Sequence, residues 1–299
     1  MQDHTFPDFL IVGAAKSGTS SLHLYLDEHP GVVMPRIKET WFWHQPENPN
    51  RAMTRRNPKL PVTLDQYSAL YDRRAGAVYG EATPSYLYYH QLTIDKLKRL
   101  HPNWEALKII IILREPISKI KSHYRFARQK NLDPEQLSLA KAIAAEERRL
   151  AENEVLLDMF YVDNTRYAAQ VKAYVDNFPN VKIYLYEDLR ERPEWLIQDL
   201  YRYIGVDDTF TPPSLGKRVN KSRSRVVPRN WFAARYNGRL RRYRERWGGA
   251  FRGIIDTVFF TDARFEPATL DHLKTVFAPE VAELERVIGR DLTHWREQY

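Results

Sequence analysis

The chain has 299 residues, 43% of them hydrophobic, with 46 Lys or Arg against 38 Asp or Glu and a formal charge of +8. That length holds one large α/β domain or two small ones, and the apolar content supports a substantial core, which excludes a disordered or fibrous chain. The absence of cysteine excludes disulfides, thiolate metal sites and cysteine nucleophiles and leads us to expect a cytoplasmic protein; the N-terminus MQDHTFPDF shows no basic-then-apolar leader and no stretch approaches the roughly 20 apolar residues of a membrane span.

The first element in chain order is the most informative. Phe9-Leu10-Ile11-Val12 reads as a buried strand, Gly13 and Gly18 permit backbone conformations closed to other residues, and a helix pattern over Ser20 to Glu28 follows at once. Unpaired N–H groups at that helix start, with its dipole, favour an anion, so GAAKSGTSS reads as a phosphate loop. Its glycine spacing is that of a Walker A loop, but Thr19-Ser20 stand where that motif needs Lys-Ser/Thr, and Lys16 lies inside the loop. A tight turn carrying an incidental lysine is the plainer alternative.

Further strands are expected at Ala77 to Tyr79, Lys108 to Leu113 and Lys182 to Tyr186. Helices are expected at Ser118 to Gln129, Leu137 to Leu157, Thr165 to Asn177, Pro193 to Ile204 and Pro279 to Ile288. Strands alternating with helices predict parallel pairing through helical crossovers, hence an α/β, P-loop-like three-layer fold with a central parallel sheet flanked by helices. Residues 46–61 read as a surface loop and 207–228 as a long polar and basic connection. Neither marks a domain boundary, so a single domain over 1–299 is expected.

A second anion site is suggested by KIIIILREPISKIKSHY, Lys108 to Tyr124. Arg114 follows the strand's last apolar residue and so points into the crevice at the carboxyl ends of an open α/β sheet. Pro116 suits a first helical turn, and Ser122 lies eight residues after Arg114. A guanidinium fork with a hydroxyl can grip a phosphate; a salt bridge from Arg114 to Glu115 or Glu187 is the alternative.

The positive charge is local. From Lys217 to Arg252 there are 13 Lys or Arg and one acid, Glu245, which puts +12 in that window and leaves about −4 elsewhere. Such a window suits nucleic acid, an anionic lipid surface, an anionic glycan, a phosphorylated cofactor or plain solvation. The Trp231 to Phe260 part, mixing aromatics with arginines, leaves peripheral membrane contact, a glycan site and a packed lid all open. The histidines show no i, i+4 pairing with carboxylates of the kind that holds a metal.

GxxKSGTSSL followed about a hundred residues later by LREPxxKxxSxY resembles the cofactor signatures of sulfotransferases that use 3′-phosphoadenosine 5′-phosphosulfate (PAPS). HPGVVMPRIKETWFW, GEATPSYLYY, TRYAAQVKAYVDNFPNVKIYLYEDL, RYIGVDD and LERVIGRDLTHW extend the resemblance over nearly the whole chain, towards the branch with bacterial carbohydrate and heparan sulfate sulfotransferases. The resemblance implies that Lys16, Ser17, Gly18, Thr19 and Ser20 hold the 5′-phosphosulfate and that Arg114 and Ser122 hold the 3′-phosphate. It implies further that Lys16 neutralises the leaving phosphate and that Glu39, ahead of the aromatic group Trp41-Phe42-Trp43, is the general base. The basic run GKRVNKSRSR stands where the family closes a mobile loop over the nucleotide, which makes Lys217, Arg218, Lys221, Ser222 and Arg223 candidate phosphate ligands. Tyr167, with Arg166, either lines the crevice or packs in the core.

Two departures separate the chain from heparan-type enzymes. Trp41 stands where a histidine is frequent, so an imidazole's supporting role is absent or falls to His44, and Ala82 stands where those enzymes carry a lysine. The reading is therefore a PAPS-dependent enzyme that sulfates a hydroxyl of a sugar, glycolipid or polysaccharide precursor, releasing adenosine 3′,5′-bisphosphate (PAP), with no metal required. The alternatives are a P-loop nucleotide kinase, disfavoured by the displaced lysine, and a non-enzymatic binder of nucleic acid or another anionic surface.

Overall fold

The apolar run Phe9–Gly13 forms β1, with every residue buried. This computed structural model describes residues 4–45, 60–129, 135–152, 159–217, 225–228, 258 and 260–297. After β1 come α1 (Thr19–Asp27), β2 (Val32–Val33), α2 (Leu64–Ser68), β3 (Val78–Ala82), α3 (Ser85–Tyr88) and α4 (His90–Leu100). The chain continues through β4 (Lys108–Leu113), α5 (Pro116–Gln129), α6 (Leu139–Ala144), α7 (Glu146–Ala151), α8 (Tyr167–Asn177), β5 (Val181–Leu185), α9 (Tyr186–Glu191) and α10 (Pro193–Ile204). Beyond these lie β6 (Arg225–Pro228), β7 (Phe260–Asp262), α11 (Pro267–Ile288) and α12 (Thr293–Glu297). The chain divides into two compact units, the first comprising Met1–Glu115, Tyr167–Asn220 and Ala282–Asp291, the second Pro116–Arg166, Lys221–Val281 and Leu292–Tyr299.

The first unit holds a five-stranded sheet in the order β2-β3-β1-β4-β5, and every pairing is parallel. Parallel neighbours require crossovers, and strands covered on both faces read as unbroken apolar runs; Ile109 to Leu113 are accordingly fully buried. Phe9, Ile11, Ile110 and Ile112 pack in one cluster with Leu22, Tyr25 and Leu26 of α1 and Leu196, Ile197, Leu200 and Tyr201 of α10. The chain leaves β1 towards β2 and β3 on one side and later adds β4 on the other. The carboxyl ends of β1 and β4 thus flank a switch point, the place where open α/β sheets bind ligands. Gly80 is required for this pairing: opposite Phe9 in register, a Cβ there would fall 1.9 Å from the Phe9 ring.

In the second unit Ile117, Ile120, Tyr124 and Ala127 of α5 pack with Leu139, Ala142, Tyr161, Leu273 and Phe277. Buried Lys119 donates to the Asn164 side chain at 2.6 Å and to Thr165 Oγ1 at 2.8 Å, and burial pushes its ammonium down to about 7. β6 and β7 pair antiparallel.

The α/β class and the parallel sheet agree with the sequence reading, whereas several element bounds differ. The strand expected at Ala77 to Tyr79 runs Val78–Ala82, because Gly80 and the buried carboxylate Glu81 read locally as loop. The helix expected over Leu137 to Leu157 is two helices that meet at Ala145; part of its span lies outside the described residues. The last long helix begins at Pro267 and carries Pro279 inside it, since Leu270, Leu273 and Val276 continue its apolar stripe upstream. α4 was missed because its buried face includes Thr93 and Lys96.

Candidate active site

The turn after β1 is shaped by backbone geometry that only some residues tolerate. Lys16 has φ 67° and Gly18 φ 106°, and Gly18 opens α1 with no side-chain cap. A Cβ on Gly18 would fall 2.5 Å from Leu189 Cδ2. Helix-start N–H groups, Thr19 and Ser20 therefore border one loop. Ser17 beneath it is fully buried.

Arg114 ties the end of β4 to this loop by donating from Nη1 to the Lys16 carbonyl at 3.2 Å, with its guanidinium 4.5 Å from the centre of the Tyr186 ring. Tyr167 is buried beside Ser17, Arg114 and Glu115, and burial pushes its hydroxyl well above the ordinary range. Neither the Tyr167 hydroxyl nor Ser17 Oγ has a hydrogen-bond partner of normal geometry. They lie beside each other, with Ser17 lowering the Tyr167 hydroxyl against its burial, under a glycine loop whose helix start suits an anion. Arg166 instead pairs with Glu280 at 3.0 Å.

Glu39 reaches the same place from the segment after β2. Burial lowers the Lys16 ammonium from its ordinary value, Glu39 opposes the shift, and Arg114 and Lys38 add to it. Glu39, Arg114 and Lys38 thus all act on Lys16. Lys38 Nζ lies 3.0 Å from Glu39 Oε1. Glu39 and Trp41 both adopt left-handed backbone, φ 64° and 57°, a conformation that costs about 1–3 kcal/mol for each such residue. Between them Thr40 is fully buried and donates to Glu81 Oε1 at 2.6 Å.

His23, one turn into α1 from Thr19, was not singled out by sequence. Its Nδ1 is buried without a partner, and burial, reinforced by Lys38, pushes the imidazole down to about 4. His44 is buried, with Nε2 2.8 Å from Ser85 Oγ. Burial pushes it down to about 3, so it is a neutral packing group at ordinary pH. Ala82 is buried at the end of β3.

Lys16, Ser17, Gly18, Thr19, Ser20, Arg114 and Glu39 all lie in the first unit. Ser122 is on α5 in the second unit. Lys217 is exposed at the end of a segment docked on α1, where Ser214 donates to Glu28 Oε2 through its N–H at 3.0 Å and its hydroxyl at 2.9 Å. Arg218, Lys221, Ser222 and Arg223 lie outside the described residues, as does most of the Trp231 to Phe260 region. Among the described residues no group of three or more His, Asp or Glu is placed to hold a metal, and no helix is long and apolar enough to cross a membrane.

A glycine turn between strand and helix at the switch point of a parallel sheet, with charged side chains beside it, gives the chain a P-loop-like α/β architecture. The chain belongs to the sulfotransferase family, whose model matches residues 7–211. It is similar to the sulfotransferase from Alicyclobacillus acidocaldarius, with a TM-score of 0.73 and 30% identity over 98% of this chain and 99% of that one. A mouse sulfotransferase, SULT7A1, solved in complex with PAP, shares the fold at TM-score 0.55 and 14% identity, over 99% of this chain and 90% of that one. Among curated proteins, the membrane-associated sulfotransferase kil1 of Dictyostelium discoideum is 29% identical over 41% of this chain and 23% of its own length. The human bifunctional heparan sulfate N-deacetylase/N-sulfotransferase 3 is 25% identical over 67% of this chain and 22% of its own length. The chain thus spans less than a third of the length of these curated relatives.

Proposed function

We propose that this sulfotransferase moves a sulfuryl group from PAPS to a hydroxyl of a carbohydrate or glycolipid and releases PAP. The observation that carries the reading is the cluster of Lys16, Lys38, Glu39 and Arg114 around the loop at the end of β1. When bound, the donor supplies an activated sulfuryl group on a phosphate leaving group. The loop N–H groups with Ser17, Thr19 and Ser20 hold its 5′ end, and Arg114 holds the 3′-phosphate. Lys16 offsets the charge that grows on the leaving oxygen, a preorganised cation in a partly dry site. Glu39 takes the acceptor's proton as the hydroxyl attacks in line; Lys38 must give up its contact with that carboxylate first. The carbohydrate acceptor is supported by the relatives that carry heparan sulfate in their names. A cytoplasmic location is our reading from the absence of cysteine.

The test is calorimetric titration with PAP, in parallel with ATP·Mg and with Arg114→Ala. Micromolar PAP binding that is lost in the variant is expected. Preference for ATP·Mg would move the reading to a kinase.

A further inference from the structure

Glu81, on β3, is fully buried, and four hydroxyls converge on it. Thr40 Oγ1, Thr83 Oγ1 and Tyr86 OH reach Oε1 at 2.6, 2.7 and 2.7 Å, and Tyr67 OH reaches Oε2 at 2.6 Å. The donors come from the Glu39 segment, the β3–α3 turn, α3 and α2. Each of three of these hydroxyls is itself approached by an N–H: Thr40 by the Phe42 N–H at 3.3 Å, Tyr86 by the Trp43 N–H at 3.3 Å and Tyr67 by Trp43 Nε1 at 3.0 Å. An N–H can only donate, so those oxygens accept there, which leaves each proton for Glu81 or for a neighbouring hydroxyl, Thr40 Oγ1 lying 3.0 Å from Tyr86 OH and Tyr67 OH 2.9 Å from Tyr71 OH.

Residues 40 to 43 are thereby tied to Glu81 directly through Thr40 and indirectly through Tyr67 and Tyr86. Thr40 is the one residue between the two left-handed positions, Glu39 and Trp41. Further along, buried Lys96 holds the Phe42 and Gln45 carbonyls at 2.7 and 3.2 Å, and the Gln45 N–H holds the Trp41 carbonyl at 3.1 Å; the side chain between the two left-handed residues is held by Glu81.

We propose that Glu81 is the positioning residue for Glu39: the Thr40–Glu81 hydrogen bond holds the 39–41 turn in its left-handed form and so aims the Glu39 carboxylate at the acceptor side. This rests on the reading of Glu39 as general base. It makes Thr40 and Glu81 determinants of catalysis that touch neither donor nor acceptor.

The test uses Thr40→Val, which keeps the shape and removes the hydroxyl, Thr40→Ser, which restores it, and Glu81→Gln. Crystal structures report the φ angles of Glu39 and Trp41, and [35S]PAPS transfer to a glycan panel reports kcat and donor KM. In Thr40→Val, Glu39 and Trp41 leave the left-handed region and kcat falls at least tenfold, with donor KM and PAP affinity within twofold. Thr40→Ser stays like the wild type. Glu81→Gln slows the wild type but slows Glu39→Gln no further, because it acts only through that residue. Left-handed geometry and wild-type kcat retained in Thr40→Val would overturn the proposal, as would a full further loss on adding Glu81→Gln to Glu39→Gln. Unchanged transfer in Glu39→Gln would instead overturn the base assignment, and the φ angles would still decide whether Glu81 shapes the turn.

Discussion

Arg114 Nη1 donates to the backbone carbonyl of Lys16 at 3.2 Å, so the residue assigned to one phosphate also braces the loop assigned to the other. The Tyr186 ring backs the guanidinium plane. Arg114→Lys keeps the charge but loses the planar fork and the stacking. PAP affinity is expected to fall at least tenfold in calorimetry, with the melting temperature within a few degrees of wild type.

The Lys16 ammonium is lowered by burial despite the help of Glu39. A bound phosphate favours its protonated form, so PAP affinity should be flat below Lys16's own titration and fall as pH rises through it. Lys16→Met should remove that fall and reduce kcat by at least a hundredfold. A wild-type affinity that rises in alkali would contradict this.

Two glycines should separate site damage from fold damage. Gly80→Ala drives a Cβ into the Phe9 ring at 1.9 Å, and is expected to destabilise the protein by about 2–3 kcal/mol in urea. Gly18→Ala combines φ 106° with a contact to the flexible end of Leu189. Its cost should be about 1–3 kcal/mol, with PAP binding weakened at least tenfold because the loop itself changes.

Acid should unfold the protein partly through His44. Its folded value of about 3 lies below the ordinary 6.5 or so of an unfolded histidine. Between those values the unfolded chain binds the extra proton, so stability present above pH 6.5 is lost on acidification, on the order of 3 kcal/mol or more by pH 3. Glu81, whose carboxyl is raised by burial, acts in the opposite sense. The His44 share is therefore read as the difference between wild-type and His44→Gln curves, and the variant should show the shallower slope.

The strand, glycine turn and helix start after Phe9 were legible because their signal is local: an apolar run, two glycines and a helix pattern within Phe9 to Ser21. The place of Arg114 was legible for the same reason, as the first charge after β4. Glu39 was not, since taken alone it is one acid among 38; only the resemblance drew attention to it. Glu81 was invisible, because its donors stand at positions 40, 67, 83 and 86 and only the sheet and α2 bring them together. His23 gave no signal either, since its environment is made by residues from another segment, Lys38 and Glu39. The same blindness to tertiary burial shortened β3 and hid α4.

The most direct measurement is transfer of label from [35S]PAPS to a glycan and glycolipid panel by the wild type and by Glu39→Gln, with PAP affinity measured on both. The account predicts labelled acceptor with the wild type and at least a hundredfold less with the variant, at equal PAP affinity. Equal transfer by both proteins, or loss of PAP binding together with transfer in Glu39→Gln, would contradict it.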